Sequence, residues 1–315
     1  MKRFSIFVVC LTIIFSMFTT NVNGTTISNK EVKIIVKKEK FYNSKNTRTL
    51  TVYTNDYNDF YRAVDNGIKN VEESIVLNIS KSYIRGGIEE FKKVFLGIAD
   101  LVATGSFIDS YTIYYDPTGS SNVYTVELNY GRPIDEVRRK SKEVDEAVNA
   151  ITPKITSRNN TDRQNIRAIH DFIINNTAYN IDGVNNDTLE IEDHTAYGIL
   201  IKQVGVCDGY AITMRKMLDT IGIENMVVIG TGDGVPHAWN LVKLSGKWFH
   251  VDSTWDDPIY YENGNQVQIL GDEYFMRQDS FMKQTHNWEF SKYPKTTGEV
   301  VSKLGIKYKR GVLVR

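Results

Sequence analysis

Two cysteines in 315 residues are too few to build a disulfide framework. Six prolines exclude a polyproline or collagen-like chain. Charge of one sign is missing as well: 38 Lys and Arg are matched by 38 Asp and Glu, and the formal net charge is zero. Proteins that hold nucleic acid or an anionic membrane surface by bulk charge carry an excess of cations, so neither partner is expected here. A helix that crosses a bilayer needs about 20 apolar residues, and the apolar run at residues 4–18 is shorter than that. The remainder is ordinary for a globular protein, with 41% apolar and 24% charged residues. The length accommodates one large domain or two ordinary ones.

The first two dozen residues stand apart. Lys2 and Arg3 precede the apolar run at residues 4–18, and a short polar stretch ends at Val22 and Gly24. Positive start, apolar middle and small-residue end form the pattern of a secretory signal, so residues 1–24 are expected to be a signal peptide and the protein to be secreted or cell-surface. Cys10 lies inside the apolar run behind the bulky Val9, which does not suit a lipid-attachment site. Removal of the signal leaves Cys207 as the one thiol and no internal disulfide. A lone thiol in an oxidising compartment is a liability unless it is buried or used.

Behind the signal, residues 31–40 are rich in Lys and β-branched residues and read as a surface strand or arm. Residues 56–71 and 88–103 have helical spacing, and 74–79 alternate as a half-buried strand does. Tyr- and Val-rich runs at 111–115 and 122–130 flank Asp116-Pro117-Thr118-Gly119, which predicts a hairpin. Pro133 opens a charged helix that Pro153 is expected to end. Thr161 and Gln164 have the spacing of a capping box, predicting a helix through Ile173. Residues 180–194 read as a loop. The expected division is a small N-terminal α+β domain over 25–155, of unassigned role, and a second domain over 156–315 with a C-terminal extension.

Chemistry concentrates after residue 200. Gly205-Val206-Cys207-Asp208-Gly209-Tyr210-Ala211 runs into Ile212, Met214, Met217, Leu218 and Ile221, and Gly222 closes the run. This is a helix with one apolar face, and Cys207 stands at its start. The partial positive charge and backbone N–H groups there favour a thiolate, and the same groups stabilise an oxyanion. Gly205 and Gly209 are expected to keep bulk away from the sulfur. A strand beginning near His237 and a returning strand at 248–251, joined near Gly246, place His237 and Asp252 at neighbouring ends of a hairpin. A carboxylate can there orient an imidazole that faces the thiolate.

The segments GVCDGYA, HAWNLV and WFHVDSTWDDP resemble the three ordered motifs of the transglutaminase-like superfamily, and IHDFIINNTAYN resembles the helix ahead of them. The likeness covers residues 165–258. It implies an α+β, papain-like transglutaminase core with the cysteine helix packed on an antiparallel sheet. It also implies roles: Cys207 as nucleophile, His237 as general base and acid, and Asp252 as the group orienting His237.

Trp239 and Trp255 are candidate substrate contacts, although large aromatics more often pack a core. Asp208 and Gly209, beside the cysteine, are further substrate-contact candidates. Gln203 precedes Cys207 at a spacing unlike that of an oxyanion glutamine and is expected at the surface. His250 is expected to pack, and so is His286 in His286-Asn287-Trp288. Asp256-Asp257 without further ligands reads as a turn, so no metal and no cofactor is expected.

Such a triad performs acyl transfer through a thioester on protein or peptide substrates, which the signal places in the cell envelope or outside the cell. Water as the second nucleophile gives a protease or deamidase, the favoured reading; a lysine amine gives a crosslinking transglutaminase, the alternative. A silent binding protein of the same fold and an arylamine acetyltransferase are rivals. The intact Cys, His and Asp weigh against the first, and the lack of any coenzyme A feature weighs against the second.

Overall fold

A computed structural model describes residues 31–36, 48–103, 105–116, 122–262, 265–296 and 308–309. The expected signal at 1–24, with Cys10, and the hairpin turn at 117–121 lie outside the described residues.

The front part holds β1 (Glu31–Val36), β2 (Thr49–Thr54), α1 (Tyr57–Lys69), β3 (Ser74–Ile79), α2 (Gly87–Val102), β4 (Ile108–Asp116) and β5 (Asn122–Tyr130). The strands form one sheet in the order β1-β4-β5-β3-β2. The pairs β1–β4 and β2–β3 are parallel, and the two inner pairs are antiparallel. The hairpin predicted around residue 119 is therefore present as β4–β5. Asp56 caps α1 by accepting from the Asp59 N–H at 2.9 Å. Phe60 and Val64 of α1 meet Phe91 and Phe95 of α2 over Ile75, Leu77 and Tyr124 of the sheet, all of them buried. The Phe91 and Tyr124 rings stack at 3.8 Å.

The rest begins with α3 (Ile134–Ile155), α4 (Asp162–Asn176), β6 (Ala178–Tyr179) and α5 (Ile181–Asn186). A 3₁₀ turn at Ile191–His194 and a wide helical turn at Gly198–Lys202 lead to β7 (Val204–Gly205) and α6 (Cys207–Thr220). Then come β8 (Asn225–Gly232), β9 (Val235–Leu244), β10 (Lys247–Val251), β11 (Ile259–Glu262), β12 (Asn265–Leu270), α7 (Asp279–Met282), β13 (His286–Trp288) and β14 (Tyr308–Lys309).

Two expectations are corrected. Pro153 does not end α3, which continues through it to Ile155. A proline this near a C-terminus removes one donor only, and the last turn is held by the Thr156 N–H and hydroxyl, which both donate to Thr152 O. Residues 180–194 are not a plain loop. Asn180 accepts from the Gly183 N–H at 2.9 Å, and Asp193 accepts from the Glu190 N–H at 2.9 Å. Each builds a short turn of helix that leaves no apolar period to read.

The second sheet runs β10-β9-β8-β13, antiparallel throughout. Its hairpin turns, Asp233-Gly234 and Ser245-Gly246, have φ of 47° and 81°, and of 49° and 77°. Two successive positive φ values make the tight turn that matches strand twist, and glycine takes the second place without strain. Helix α6 lies on this sheet through small residues, with Ala211 against Val227 and Ala238. Asn240 of β9 donates to Ala211 O at 2.9 Å. Small side chains allow the close approach that brings the start of α6 to the start of β9. The papain-like arrangement, a cysteine helix on an antiparallel sheet, is thus present.

Val144 and Val148 of α3 pack in the same core as Ile166, Tyr210, Met214 and Met217, so α3 covers the second unit although the expected boundary falls at its end. The two units meet through a buried ion pair in which Arg215 Nη2 of α6 donates to Asp65 Oδ1 of α1 at 2.7 Å.

Candidate active site

Cys207 is the first residue of α6 and is half-buried. The run before it is fixed from both sides. β6 and β7 pair in parallel, with Tyr179 opposite Gly205, and the Asn180 N–H donates to Gly205 O. The Val206 N–H donates to Asp193 O at 2.9 Å. A Cβ on Gly205 or Gly209 would sit 2.6 or 2.8 Å from that same carbonyl. The two glycines therefore seat the nucleophile's turn on the 190–194 segment. Gly209, a candidate substrate contact, is buried on that carbonyl, and Gly205 likewise serves packing rather than access.

His237, near the start of β9, is 9% exposed, and Asp252, just past the end of β10, is fully buried. His237 Nε2 donates to Asp252 Oδ2 at 2.7 Å. Cys207 is close enough to the same imidazole to contribute to its raised pKa, so thiol, imidazole and carboxylate form one string. Burial alone would pull the His237 pKa down. The Asp252 charge outweighs it, helped by the hydrogen bond to Asp252 and by Cys207, and the imidazole is pushed up to about 10. Asp252 is held far below the ordinary carboxylate range: burial opposes this, but His237 and hydrogen bonds from His237 and His286 prevail. The other carboxamide and carboxylates nearby hydrogen-bond elsewhere, although Asn240 Oδ1 is buried without a partner. Asn240 holds Ala211 O, Asp256 accepts from His170 at 3.0 Å, and Asp257 accepts from the Tyr210 hydroxyl at 2.8 Å. Asp252 is the carboxylate that hydrogen-bonds His237.

The remaining candidates separate by burial. Trp239 is 1% exposed and donates its indole N–H to His250 Nδ1 at 2.9 Å, so its ring is core behind the histidine and has no face for substrate. Trp255 is half-buried, 5.8 Å from the His237 ring, and stays at the site. Asp208 is half-buried and accepts from His194 Nδ1 at 2.9 Å. That bond raises the His194 pKa. Gln203 is exposed, with φ of 59°, and turns the backbone into β7. His250 is buried between Trp239 and Asp279, and burial lowers its pKa, leaving a neutral ring.

Two side chains escaped sequence reasoning. His286, expected only to pack, donates from Nε2 to Asp252 Oδ2 at 3.0 Å. The signal for it is slight, because β13 is three residues long with only His286 and Trp288 facing inward. Tyr179 is half-buried and senses the charges of Cys207, Asp208 and Asp252, which add to burial in raising its pKa. His237, Asp252 and His286 also bring their ligand atoms within 4.8 Å of one another, a set that could hold a metal ion. Their contacts of 2.7 and 3.0 Å are hydrogen-bond lengths, which protons satisfy.

Residues 149–253 match the family model described as the Transglutaminase-like superfamily, a span that includes all three residues of the string. A curated relative, the Kyphoscoliosis peptidase of Mus musculus, is 25% identical over 191 residues. The alignment covers 54% of this chain and 29% of that protein, so the chain spans less than a third of the relative's length. Among solved structures, a TGase is similar at 17% identity and a TM-score of 0.32, over 58% of this chain and 51% of the other. A candidate cysteine protease from Cytophaga hutchinsonii is similar at 19% identity and a TM-score of 0.29, over 42% and 52%. With its three motifs in order, a cysteine helix on an antiparallel sheet and this match, residues 149–253 are similar to the transglutaminase-like superfamily.

Proposed function

We propose that the protein is an exported thiol hydrolase acting on protein or cell-wall peptide through Cys207, His237 and Asp252. The observation that carries this reading is the string itself: a half-exposed thiol at a helix start, an imidazole raised to about 10 and a buried carboxylate 2.7 Å from it. The imidazole holds a proton next to the sulfur, so an imidazolium–thiolate pair is available. The sulfur attacks a carboxamide or peptide carbonyl and forms the C–S bond. N–H groups at the start of α6 hold the oxyanion. As the C–N bond breaks, His237 gives its proton to the leaving amine or ammonia. Water then adds to the thioester while His237 takes a proton, and the C–S bond breaks to release acid and thiolate. The curated relative carries the name peptidase, which favours water as acceptor.

The test is mass spectrometry of cell-envelope proteins and peptides incubated with the protein and with its Cys207→Ala variant. New peptide termini or deamidated residues, found with the wild type alone, are expected. Lysine-linked pairs in their place would make the protein a crosslinker, and no difference from the variant would contradict the reading.

A further inference from the structure

We infer that His286 is a positioning residue for the acyl-transfer string: it locks the Asp252 carboxylate against His237, as a second imidazole on the same oxygen. This rests on the reading of Cys207, His237 and Asp252 as the reacting string.

A carboxylate offers about four lone-pair positions, and at Asp252 each is taken. Oδ1 accepts from the backbone N–H groups of Thr254 and Trp255, at 3.0 and 3.1 Å. Oδ2 accepts from His237 Nε2 and His286 Nε2, at 2.7 and 3.0 Å. The two backbone donors lie in the turn that follows the residue and fix one oxygen only. His286 arrives from β13, on the far edge of the sheet, and fixes the other. Without it, one position on a fully buried oxygen is open. The carboxylate then turns about its Cβ–Cγ bond toward another donor or takes up water.

The surroundings of His286 are built for one orientation and one tautomer. Its ring lies 4.9 Å from Trp239, edge to face, 4.4 Å from Trp255 and 5.6 Å from Tyr274. His286 also pairs with Gly232 across β13–β8, and β8 pairs with β9, so the ring is referred to the strand that carries His237. Thr285 Oγ1 lies 2.8 Å from His286 Nδ1. In the tautomer that carries its proton on Nε2 and donates to Asp252, Nδ1 accepts and the Thr285 hydroxyl donates. The hydroxyl thereby selects the tautomer that faces Asp252, as a partner on one ring nitrogen sets the other. Besides His237, the titratable groups that sense Asp252 are Tyr179 from β6, His250 from β10, Asp256 from the following turn and Tyr274.

The experiment is the pH profile of Cys207 alkylation by iodoacetamide, and of turnover on a peptide that the protein cleaves, in the wild type, His286→Phe, His286→Gln and Thr285→Val. Phenylalanine keeps the bulk without a donor; glutamine keeps an N–H near the Nε2 position. His286→Phe should lose about tenfold in kcat with KM little changed. Its alkaline limb should fall by about one pH unit, since His237 is no longer held by an aimed carboxylate. His286→Gln should stay within about threefold of the wild type, with its limb restored. Thr285→Val should move in the same direction as His286→Phe by a smaller amount, and it decides the matter if circular dichroism finds the phenylalanine variant unfolded. A wild-type profile in both His286→Phe and Thr285→Val overturns the inference, as does a glutamine variant as impaired as phenylalanine. A rise of the alkaline limb in His286→Phe also overturns it, because it would mean that Asp252 stays aimed without help. Failure of the underlying reading is separate: Cys207 would then alkylate at the same rate with or without His237.

Discussion

At the scale of single residues, three side chains have unequal duties in the proposed reaction. Cys207→Ala should abolish turnover, because the other cysteine, Cys10, lies in the expected signal. His237→Ala should be nearly as severe, since the proton carrier is lost. Asp252→Asn should cost on the order of a hundredfold or more in kcat while the fold survives, because helix-start N–H groups still hold the oxyanion. The pH dependence has a definite sign. His237 is raised to about 10, so the imidazolium persists through neutral pH and activity should fall as pH rises through about 10. In Asp252→Asn that limb should move down toward the ordinary imidazole value of about 6.5. Turnover across pH 5–11, with circular dichroism at each step, measures both effects; an unmoved limb in Asp252→Asn would remove the carboxylate from the string.

At the scale of elements, two devices hold the string in place. The first is the close seat of α6 on the 190–194 turn. In Gly209→Ala the new Cβ would lie 2.8 Å from Asp193 O, a backbone atom without freedom to yield. That substitution should cost about 1–3 kcal/mol, read as a lower denaturation midpoint, and should slow Cys207 labelling as well. The second is His170 of α4, fully buried between Asp171 and Asp256, with both contacts at 3.0 Å. Burial alone would lower its pKa, but the hydrogen bonds to Asp171 and Asp256 push it up to about 8. The folded value lies above the unfolded one of about 6.5. The stabilisation is therefore complete below about pH 6.5 and is lost as pH rises through 8. Urea unfolding of the wild type should weaken between pH 6.5 and 8.5 more steeply than that of His170→Leu. Parallel declines would show that His170 does not titrate in this window.

Much at this scale was legible beforehand. Thr161 and Gln164 form the capping box of α4, with the Gln164 side chain accepting from the Thr161 N–H at 2.8 Å and the Gln164 N–H donating back to Thr161. The glycine stop of α6 and the glycine turns of the second sheet were legible too, because cap and turn chemistry is local. His286 was not, since its meaning depends on a partner 34 positions away across a sheet edge. The fate of Trp239 was hidden for the same reason: nothing in HAWNLV shows that His250 waits behind the indole to accept its proton. Pro153 misled because a breaker's cost depends on how many turns follow it.

At the scale of the whole molecule, helix α1 of the front unit is tied to the second unit by charge buried in α6 itself. Arg215 sits eight residues after Cys207 and pairs with Asp65, both side chains largely buried, and Lys69 also reaches Asp65 at 2.9 Å. Asp65→Ala should destabilise the protein by up to about 3 kcal/mol, because it leaves the buried guanidinium with only its longer contact to Asp219, at 3.9 Å. Asp65→Ala combined with Arg215→Met should recover much of that loss, since the buried charge is gone. Equal midpoints for the single and double variants would show that the pair does not couple the two units.

The central claim is that His237 activates Cys207, and one measurement tests it most directly: the rate of Cys207 carboxamidomethylation at neutral pH, read by peptide mass, in the folded wild type and in folded His237→Ala. Fast labelling of the wild type is expected, with a loss of at least about tenfold in the variant. Equal rates would contradict the claim.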